Sequence, residues 1–298
     1  MRVALAATVR TLPRGAGLAY EPKFDGHRLV IVRTAEDVVL QARSGRIVTA
    51  AFPDLAAAAR RLPADTVLDG EVVIWHAGRT DFALVQRRAA AASAARAAVL
   101  AQSLPASYAA FDVLELAGLD VRGRTYERRR ALLVDLLLPL GPPLQPVPMT
   151  TDPELAATWY ETLPASGIEG LVVKRLDQTY PAGRRGWQKL RHTEVRDAAV
   201  VGYTGTPRRP LALVLVLPVG DETPLVSSPL TAALRAEVAA EVAERDGPAR
   251  TPAGATVTAI GLGEVPYRPL DPPLTAEVRH PSTARHPPPE VLRLRTEP

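Results

Sequence analysis

Cysteine does not occur among the 298 residues, and long apolar runs are also missing. The absence of cysteine excludes disulfides, cysteine-ligated zinc and thiol catalysis. The longest apolar run, residues 211–217, is far shorter than the ~20 residues that cross a bilayer, and the first residues lack the apolar core of a signal peptide. The five histidines show no metal-ligand spacing. These absences predict a cytoplasmic protein with no membrane association and no histidine metal cluster.

Lysine is almost absent, because only three of the 36 basic residues are lysines and the others are arginines. Arginine stays charged, whereas the lysine amine can lose its proton and attack an electrophile. The three lysines are Lys23, Lys174 and Lys189, and each lies in a short segment with other chemically active side chains. They are therefore the first candidates for site residues.

Charge and hydrophobicity are ordinary by contrast. Hydrophobic residues make up 47% of the chain and charged residues 23%, with a net charge of +4. Such values are typical of a globular protein, here with enough chain for two domains. The mild positive charge permits nucleic-acid binding without requiring it. Arginines cluster at residues 122–130 and 184–196, and either cluster alone is better explained as a solvated surface than as a nucleic-acid contact.

The pattern of apolar residues predicts an α+β chain in two parts. Helices are predicted over residues 52–62, 89–102, 126–138, 152–162 and 230–245. Strands are predicted over residues 29–33, 38–43, 66–75, 107–116, 170–175, 198–204, 211–217, 256–262 and 291–295. Beyond residue 195, strands surround a single helix, an order typical of a small β-barrel of the oligonucleotide-binding (OB) type. We therefore predict domains at residues 1–194 and 195–298.

Residues 21–28 place an amine, two carboxylates, a glycine and a fixed cation close together. A lysine amine with a pKa near ~10.4 is a poor nucleophile unless desolvation or nearby cations lower that value. Arg28 and Lys189 are the expected sources of such a cationic field around Lys23. Asp25 either orients the lysine or caps the turn. Taken alone, the tetrapeptide Lys-x-Asp-Gly of residues 23–26 is better explained as an exposed hairpin lysine with a turn glycine.

Five further segments follow in order: residues 40–49, 68–73, 111–114, 169–175 and 187–191. Together with residues 20–28 they resemble the covalent nucleotidyltransferase superfamily, which comprises ATP-dependent DNA ligases, RNA ligases and mRNA-capping guanylyltransferases. The resemblance is strongest to the short bacterial ATP-dependent DNA ligases of repair and end joining. It implies an adenylation domain of antiparallel sheets and helices, followed by an OB-fold domain.

The resemblance implies a role for each residue around the nucleotide. Lys23 would attack the α-phosphorus of ATP and form a lysyl–AMP adduct. Glu21 would contact the adenine and Phe111 would stack on it. The remaining nucleotide contacts implied are Glu71 near the ribose, Arg28 and Arg43 near the ribose and phosphates, and Lys189 and Arg191 at the phosphates.

Four side chains have a metal-binding role or more than one interpretation. Glu169, with Glu71, is implied as a ligand of Mg²⁺ or Mn²⁺, because oxygen donors and phosphates suit such ions. Lys174 either contacts a phosphate or merely projects from a strand end. Trp187 is expected to be a packing anchor rather than a base-stacking residue.

The resemblance also implies the second half of the reaction and its partners. AMP would pass to a DNA 5′-phosphate, and a 3′-hydroxyl would displace it to seal a nick. Nicked or broken duplex DNA would bind mainly through phosphates, weakly, with salt sensitivity and no sequence preference. No N-terminal DNA-clamping domain is expected, since Lys23 comes 22 residues into the chain. The protein is expected to be a monomer that works with repair or end-joining proteins.

Two departures from the family pattern leave alternatives open. Arg191 stands where the family segment has a second lysine, and residues 295–298 read Arg-Thr-Glu-Pro instead of Arg-x-Asp-Lys. The second departure predicts slow self-adenylylation and supports a non-catalytic module that binds DNA ends. An RNA ligase or a guanylyltransferase shares the lysine chemistry. An NAD-dependent ligase is disfavoured, because its cysteine-ligated zinc module cannot form here.

Overall fold

A computed structural model of the chain describes residues 2–217, 224–245, 255–259, 263–281 and 288–295. The contacts divide the chain into two compact units, Met1–His192 and Thr193–Pro298. The division falls at residues 192 and 193, against the predicted boundary at 194 and 195. Among the described residues, no helix is long and apolar enough to span a bilayer.

The first unit contains eleven strands and five α-helices. Its strands are β1 (Leu5–Val9), β2 (Leu18–Phe24), β3 (His27–Arg33), β4 (Val38–Ala42), β5 (Thr66–His76), β6 (Arg79–Thr80), β7 (Ala106–Leu116), β8 (Leu119–Asp120), β9 (Leu144–Pro146), β10 (Ile168–Arg175) and β11 (Arg185–Arg191). Its helices are α1 (Pro53–Ala59), α2 (Phe82–Ala89), α3 (Ala94–Ser103), α4 (Tyr126–Leu137) and α5 (Pro153–Thr162).

Two sheets organise these elements. The larger has the order β4-β3-β5-β7-β8, with β6 paired to β5 and β9 paired to β7. The smaller has the order β1-β11-β10-β2. Successive residues of a strand point to opposite faces of a sheet. Accordingly Leu29 and Ile31 join the large core, while Val30 between them joins a second core that contains Trp187 of the smaller sheet.

Helix boundaries follow local capping groups more than helix propensity. The predicted helix over residues 89–102 is wrong at its start, because α2 ends at Ala89 and α3 begins at Ala94. The Ser93 side chain accepts a hydrogen bond from the Arg96 amide and caps α3. Helix α2 was not predicted, although Asp81 caps it through the amides of residues 83 and 84. An alanine run favours helix but does not specify where it starts.

The smaller sheet carries strands that the sequence pattern missed. Strands β1, β2 and β11 have no clean apolar alternation, and β2 contains Pro22. Strand β2 lies at the edge of its sheet, the position where a strand tolerates proline. The predicted hairpin of residues 29–33 and 38–43 is confirmed by the antiparallel pair β3 and β4.

In the part of the second unit that the structure describes, one helix covers a sheet. Its strands are β12 (Thr193–Thr206), β13 (Arg209–Val216), β14 (Leu225–Val226), β15 (Ala255–Ala259), β16 (Gly263–Pro281) and β17 (Glu290–Arg295), and its helix is α6 (Ala232–Arg245). The sheet order is β14-β13-β12-β16-β15, with β17 paired to β16. Leu234, Val238 and Val242 recur every four residues along α6 and enter the core. Residues 260–262 of the predicted strand, and residues 296–298, lie outside the described residues.

Candidate active site

A cavity of about 630 Å³ opens in the first unit, lined by residues from both sheets. This volume lies in the usual range of small-molecule sites. Nine of the ten side chains predicted as site residues line it: Glu21, Lys23, Arg28, Arg43, Glu71, Phe111, Lys174, Lys189 and Arg191. The tenth, Glu169, contacts the Lys23 amine. The structure therefore brings together side chains that are up to 170 residues apart in the sequence.

Strand pairing accounts for this convergence. In the smaller sheet, Val172 of β10 is in register with Glu21 of β2 on one side and with Lys189 of β11 on the other. In the larger sheet, Arg28 of β3 is in register with Glu71 of β5. Neighbouring strands lie only ≈ 4.8 Å apart, so register alone places these side chains near one another.

Lys23 has its amine in an ion pair with Glu169. The Lys23 side chain is 21% exposed and the Glu169 side chain is 3% exposed, and Glu169 also lies 3.4 Å from the Arg191 Nε. Burial lowers the pKa of Lys23 to about 8; Arg191 and Lys189 act in the same direction, while Glu71 and Asp25 oppose it. Near pH 8 a large fraction of this amine is neutral, and only the neutral amine is a nucleophile.

Glu71 is the second perturbed group at the site. Burial raises its pKa to about 7, although Lys23 and Arg28 oppose the shift. In the described part of the chain, no group of three or more acidic or histidine side chains is arranged to hold a metal by itself. Mg²⁺ is usually held by one or two carboxylates together with phosphates. Glu71 and Glu169 fit that donor set.

Arg28 is fixed by a carboxylate that the sequence analysis did not identify. Its Nε and Nη2 donate to the two Asp69 oxygens at 3.0 and 2.6 Å, and its Nη1 donates to the Ala4 carbonyl at 2.6 Å. The Tyr180 hydroxyl also donates to Asp69, which is completely buried. The guanidinium lies 5.1 Å from the centroid of the Phe111 ring. A bidentate pair of this kind fixes the plane and position of the guanidinium.

Phe111 lines the cavity and packs against Trp187. Its ring meets the Trp187 ring edge to face, with centroids 5.8 Å apart. Trp187 is buried and also packs edge to face on Tyr180. These contacts support the prediction of Trp187 as a packing anchor, although it also lines the cavity. Phe111 is one of three half-buried phenylalanines in the lining, with Phe24 and Phe82.

Lys174 is only 1% exposed, and its ammonium lies over the Phe111 and Trp187 rings. Its Nζ is 2.7 Å from a Glu21 oxygen, donates to the Phe111 carbonyl at 2.8 Å, and lies 4.3 Å from the Trp187 ring centroid. The interpretation of Lys174 as a side chain that merely projects from a strand end is therefore wrong. The Tyr126 hydroxyl donates to the other Glu21 oxygen. Sequence reasoning missed Tyr126, whose position at the start of a helix gave no signal.

Cations surround the rest of the cavity. Arg43, Lys189 and Arg191 line it together with Arg46 and Arg185. Burial lowers the pKa of Lys189, and Arg191, Arg185 and Arg43 add to the effect, as expected when like charges lie close together. An anion with several charges, such as a polyphosphate, would relieve this repulsion.

The arginines of residues 122–130 do not form one solvated surface, contrary to the favoured interpretation. Arg129 is completely buried and forms a bidentate pair with Asp112 at 2.7 and 3.0 Å. It also donates to the carbonyls of Arg124 and Gln178. Because Asp112 follows Phe111 directly, this pair anchors the strand behind the cavity to helix α4. Arg122, by contrast, is exposed and pairs with its neighbour at residue 120.

Comparison with known sequences agrees with this geometry. The sequence model of the family described as "ATP dependent DNA ligase domain" matches residues 4–191. DNA ligase C2 of Mycolicibacterium smegmatis is 38% identical over 200 residues, which is 67% of this chain and 56% of that protein. DNA ligase C of Mycobacterium tuberculosis is 37% identical over 204 residues, again 67% and 56%. The chain spans little more than half the length of these relatives.

Solved structures show the same fold. A mycobacterial DNA ligase D complexed with ATP and MES superposes with a TM-score of 0.56 and 26% identity, covering 100% of this chain and 95% of that one. A Lig E DNA ligase described as binding DNA with a minimal scaffold gives a TM-score of 0.63 at 17% identity, covering 99% and 100%. At 17% identity, the similarity to the Lig E structure is evidence for the fold alone.

Proposed function

Because the chain belongs to the ATP-dependent DNA ligase family, we propose that it seals nicks between a 5′-phosphate and a 3′-hydroxyl in duplex DNA, using ATP. The position of Lys23 carries the proposal. Its amine, with a lowered pKa, lines a cavity that also holds an aromatic ring, a carboxylate acceptor and several cations. These three kinds of group suit the parts of a nucleoside triphosphate: the aromatic ring and the carboxylate suit the base, and the cations suit the phosphates.

The first step is transfer of AMP to Lys23. The neutral Lys23 amine attacks the α-phosphorus, an N–P bond forms, the bond to the bridging oxygen of the β-phosphate breaks, and pyrophosphate leaves. The amine releases its proton in the process. Lys189, Arg191 and Arg43 neutralise charge on the phosphates, which is the main catalytic need of phosphoryl-type transfer. A bound Mg²⁺, held by Glu169 and Glu71, would add to this neutralisation.

Later steps would use the DNA. The AMP would move from Lys23 to a 5′-phosphate, and the 3′-hydroxyl would displace it. We assign residues 1–194 as the adenylation domain and residues 195–298 as an OB-fold domain, since the described residues of the second unit form antiparallel strands and a single helix. Both would contact DNA chiefly through phosphates. A monomer that acts in cytoplasmic DNA repair or end joining fits this reaction.

Labelling tests the proposal directly. The purified chain is incubated with Mg²⁺ and α-labelled ATP, GTP or NAD, and then with nicked duplex DNA or nicked RNA. We expect the covalent adduct to form much faster with ATP than with GTP, no adduct with NAD, and joining of the DNA. In Lys23→Arg the positive charge remains but the adduct must disappear, whereas Lys189→Arg keeps the Lys23 amine and should keep the adduct.

Each contrary result has a meaning. An adduct with GTP alone, or joining of RNA alone, would support a guanylyltransferase or an RNA ligase. Binding of DNA ends without any adduct would support a non-catalytic module. An adduct that persists in Lys23→Arg would refute Lys23 as the nucleophile.

A further inference from the structure

Glu21 has a buried environment that the proposed reaction leaves unexplained. The side chain is 2% exposed, yet it lines the cavity. One carboxylate oxygen accepts a hydrogen bond from the Tyr126 hydroxyl, and the other is 2.7 Å from the Lys174 ammonium. Two donors from two different elements thus converge on one carboxylate, 105 and 153 residues away in the sequence.

Toward the Glu21 carboxylate, both partners act as hydrogen-bond donors. Burial and the neighbouring Glu21 charge raise the pKa of Tyr126 well above its usual range, so its hydroxyl keeps its proton. The lysine ammonium has three donors and no acceptor. A carboxylate that receives a donor at each oxygen is fixed in one orientation, and its remaining lone pairs can only accept.

An acceptor of this kind distinguishes purines by the group at carbon 6. Adenine carries an amino donor at that position, whereas guanine carries an oxygen acceptor. A guanine oxygen placed against the Glu21 carboxylate would bring two acceptors together in a buried site, with neither satisfied. Glu21 can therefore select the nucleobase only while it is held in one orientation.

We propose that Tyr126 and Lys174 are positioning residues that set nucleobase selectivity, by holding Glu21 as a fixed acceptor for a 6-amino purine and against a 6-oxo purine. This inference rests on the proposed function, because it concerns the base of the nucleotide that Lys23 attacks. Neither residue touches the reacting phosphorus. Their effect is on which nucleoside triphosphate is accepted.

The Lys174 surroundings explain why a lysine stands there in an arginine-rich chain. Its ammonium is shared between the Glu21 carboxylate and the Phe111 carbonyl, above the Trp187 ring. A compact ammonium suits this arrangement, because an arginine would bring a larger planar fork into a fully buried site. The same ammonium joins the acceptor for the base edge to the strand that carries the stacking ring.

The test is a tyrosine pair. Tyr126→Phe removes the hydroxyl that holds Glu21 and keeps the ring. Tyr108→Phe is the matched control, since Tyr108 is equally buried and donates at 2.9 Å to the Leu29 carbonyl instead. The measurement is kcat and KM for self-adenylylation with ATP and for self-guanylylation with GTP. Thermal unfolding of both variants checks that each is folded.

We expect the ratio of kcat/KM for ATP to that for GTP to fall roughly ten-fold in Tyr126→Phe, mostly through KM for ATP, as for loss of one hydrogen bond to a charged group. The ratio should be unchanged in Tyr108→Phe. Lys174→Met, which keeps the length and removes the donor, should lower the ratio at least as much and serves if Tyr126→Phe does not fold.

A double variant separates positioning from general damage. If Tyr126 acts through Glu21, then Tyr126→Phe should change the ratio no further in a Glu21→Gln background. An unchanged ratio in Tyr126→Phe, or an equal fall in both backgrounds, would overturn the inference. A wild-type chain labelled equally by ATP and GTP would also overturn it and leave the ligase chemistry intact. A wild-type chain that forms no adduct would instead count against the proposed function itself.

Discussion

The two units differ in where their described ion pairs lie. The first unit has exposed pairs but also fully buried ones, such as Arg129–Asp112 and Lys174–Glu21 behind the cavity. In the second unit, the described ion pairs, such as Arg279–Glu290 across neighbouring strands, are all at least partly exposed. A buried pair is costly to break, because the remaining partner is left without water or a counter-charge, whereas an exposed pair contributes little. The first arrangement fixes positions for chemistry, and the second supplies a hydrated surface.

The largest expected effect is from breaking the most buried pair. Arg129→Met leaves Asp112 buried without its partner, so we expect the free energy of unfolding to fall by about 3–5 kcal/mol. All three tryptophans lie at residues 75, 159 and 187, within the first unit. Tryptophan fluorescence during urea unfolding therefore reports on that unit. The control is the double variant with Asp112→Asn, which should recover part of the loss; a single variant as stable as wild type would contradict the role of the pair.

The next effect concerns the anchor of Arg28. Asp69→Asn removes the charge of a bidentate partner and leaves one oxygen, so we expect a loss of about 2 kcal/mol in the free energy of unfolding and weaker ATP binding. Tyr180→Phe removes only the hydroxyl that donates to Asp69, so its effect should be smaller. Urea unfolding and KM for ATP measure the two consequences. If Tyr180→Phe proved the more damaging, Asp69 would not be the anchor.

Charge inside the cavity should also appear in the pH dependence. The pKa of Lys23 is lowered to about 8, and the neutral amine is the proposed nucleophile. The single-turnover rate of self-adenylylation should therefore rise about ten-fold per pH unit below that value and level off above it. Lys189→Met removes a cation that lowers the pKa of Lys23, so its profile should shift to higher pH. A flat profile, or a shift to lower pH, would contradict this account.

The smallest effect is expected in the second unit. Removing the Arg279–Glu290 pair by alanine at both positions should show a coupling energy below about 1 kcal/mol, smaller still at high salt. Calorimetry with the two single variants and the double variant measures it. A coupling as large as that of the buried pairs would remove the contrast between the units.

Sequence reasoning found the side chains that face the cavity but not those that hold them. Lys23, Glu71 and Phe111 stand in segments with recognisable order, whereas Tyr126 and Asp69 act through partners 105 and 41 residues away. No local pattern encodes such pairs, because they depend on strand register and on the packing of a helix against a sheet. Long apolar strands were predicted well, because the pattern of apolar residues that marks a strand lies within the strand's own sequence.

Helix boundaries show the same division. Asp152 accepts a hydrogen bond from the Glu154 amide, and Pro153 occupies the first turn, so the start of α5 was predictable from neighbouring residues. The separation of α2 from α3 was not, since every residue from 89 to 92 is alanine and gives no stop signal.

Strand β2 lies at the edge of its sheet and pairs there with β10. This pairing bears on where the two ends of a bound nucleotide would lie. Strand β10 supplies Glu169 to the Lys23 amine and Lys174 to the Glu21 carboxylate. Under the roles proposed above, the same two strands position both the group for the base and the nucleophile. A shift in the register of this strand pair would then misplace both ends of a bound nucleotide at once.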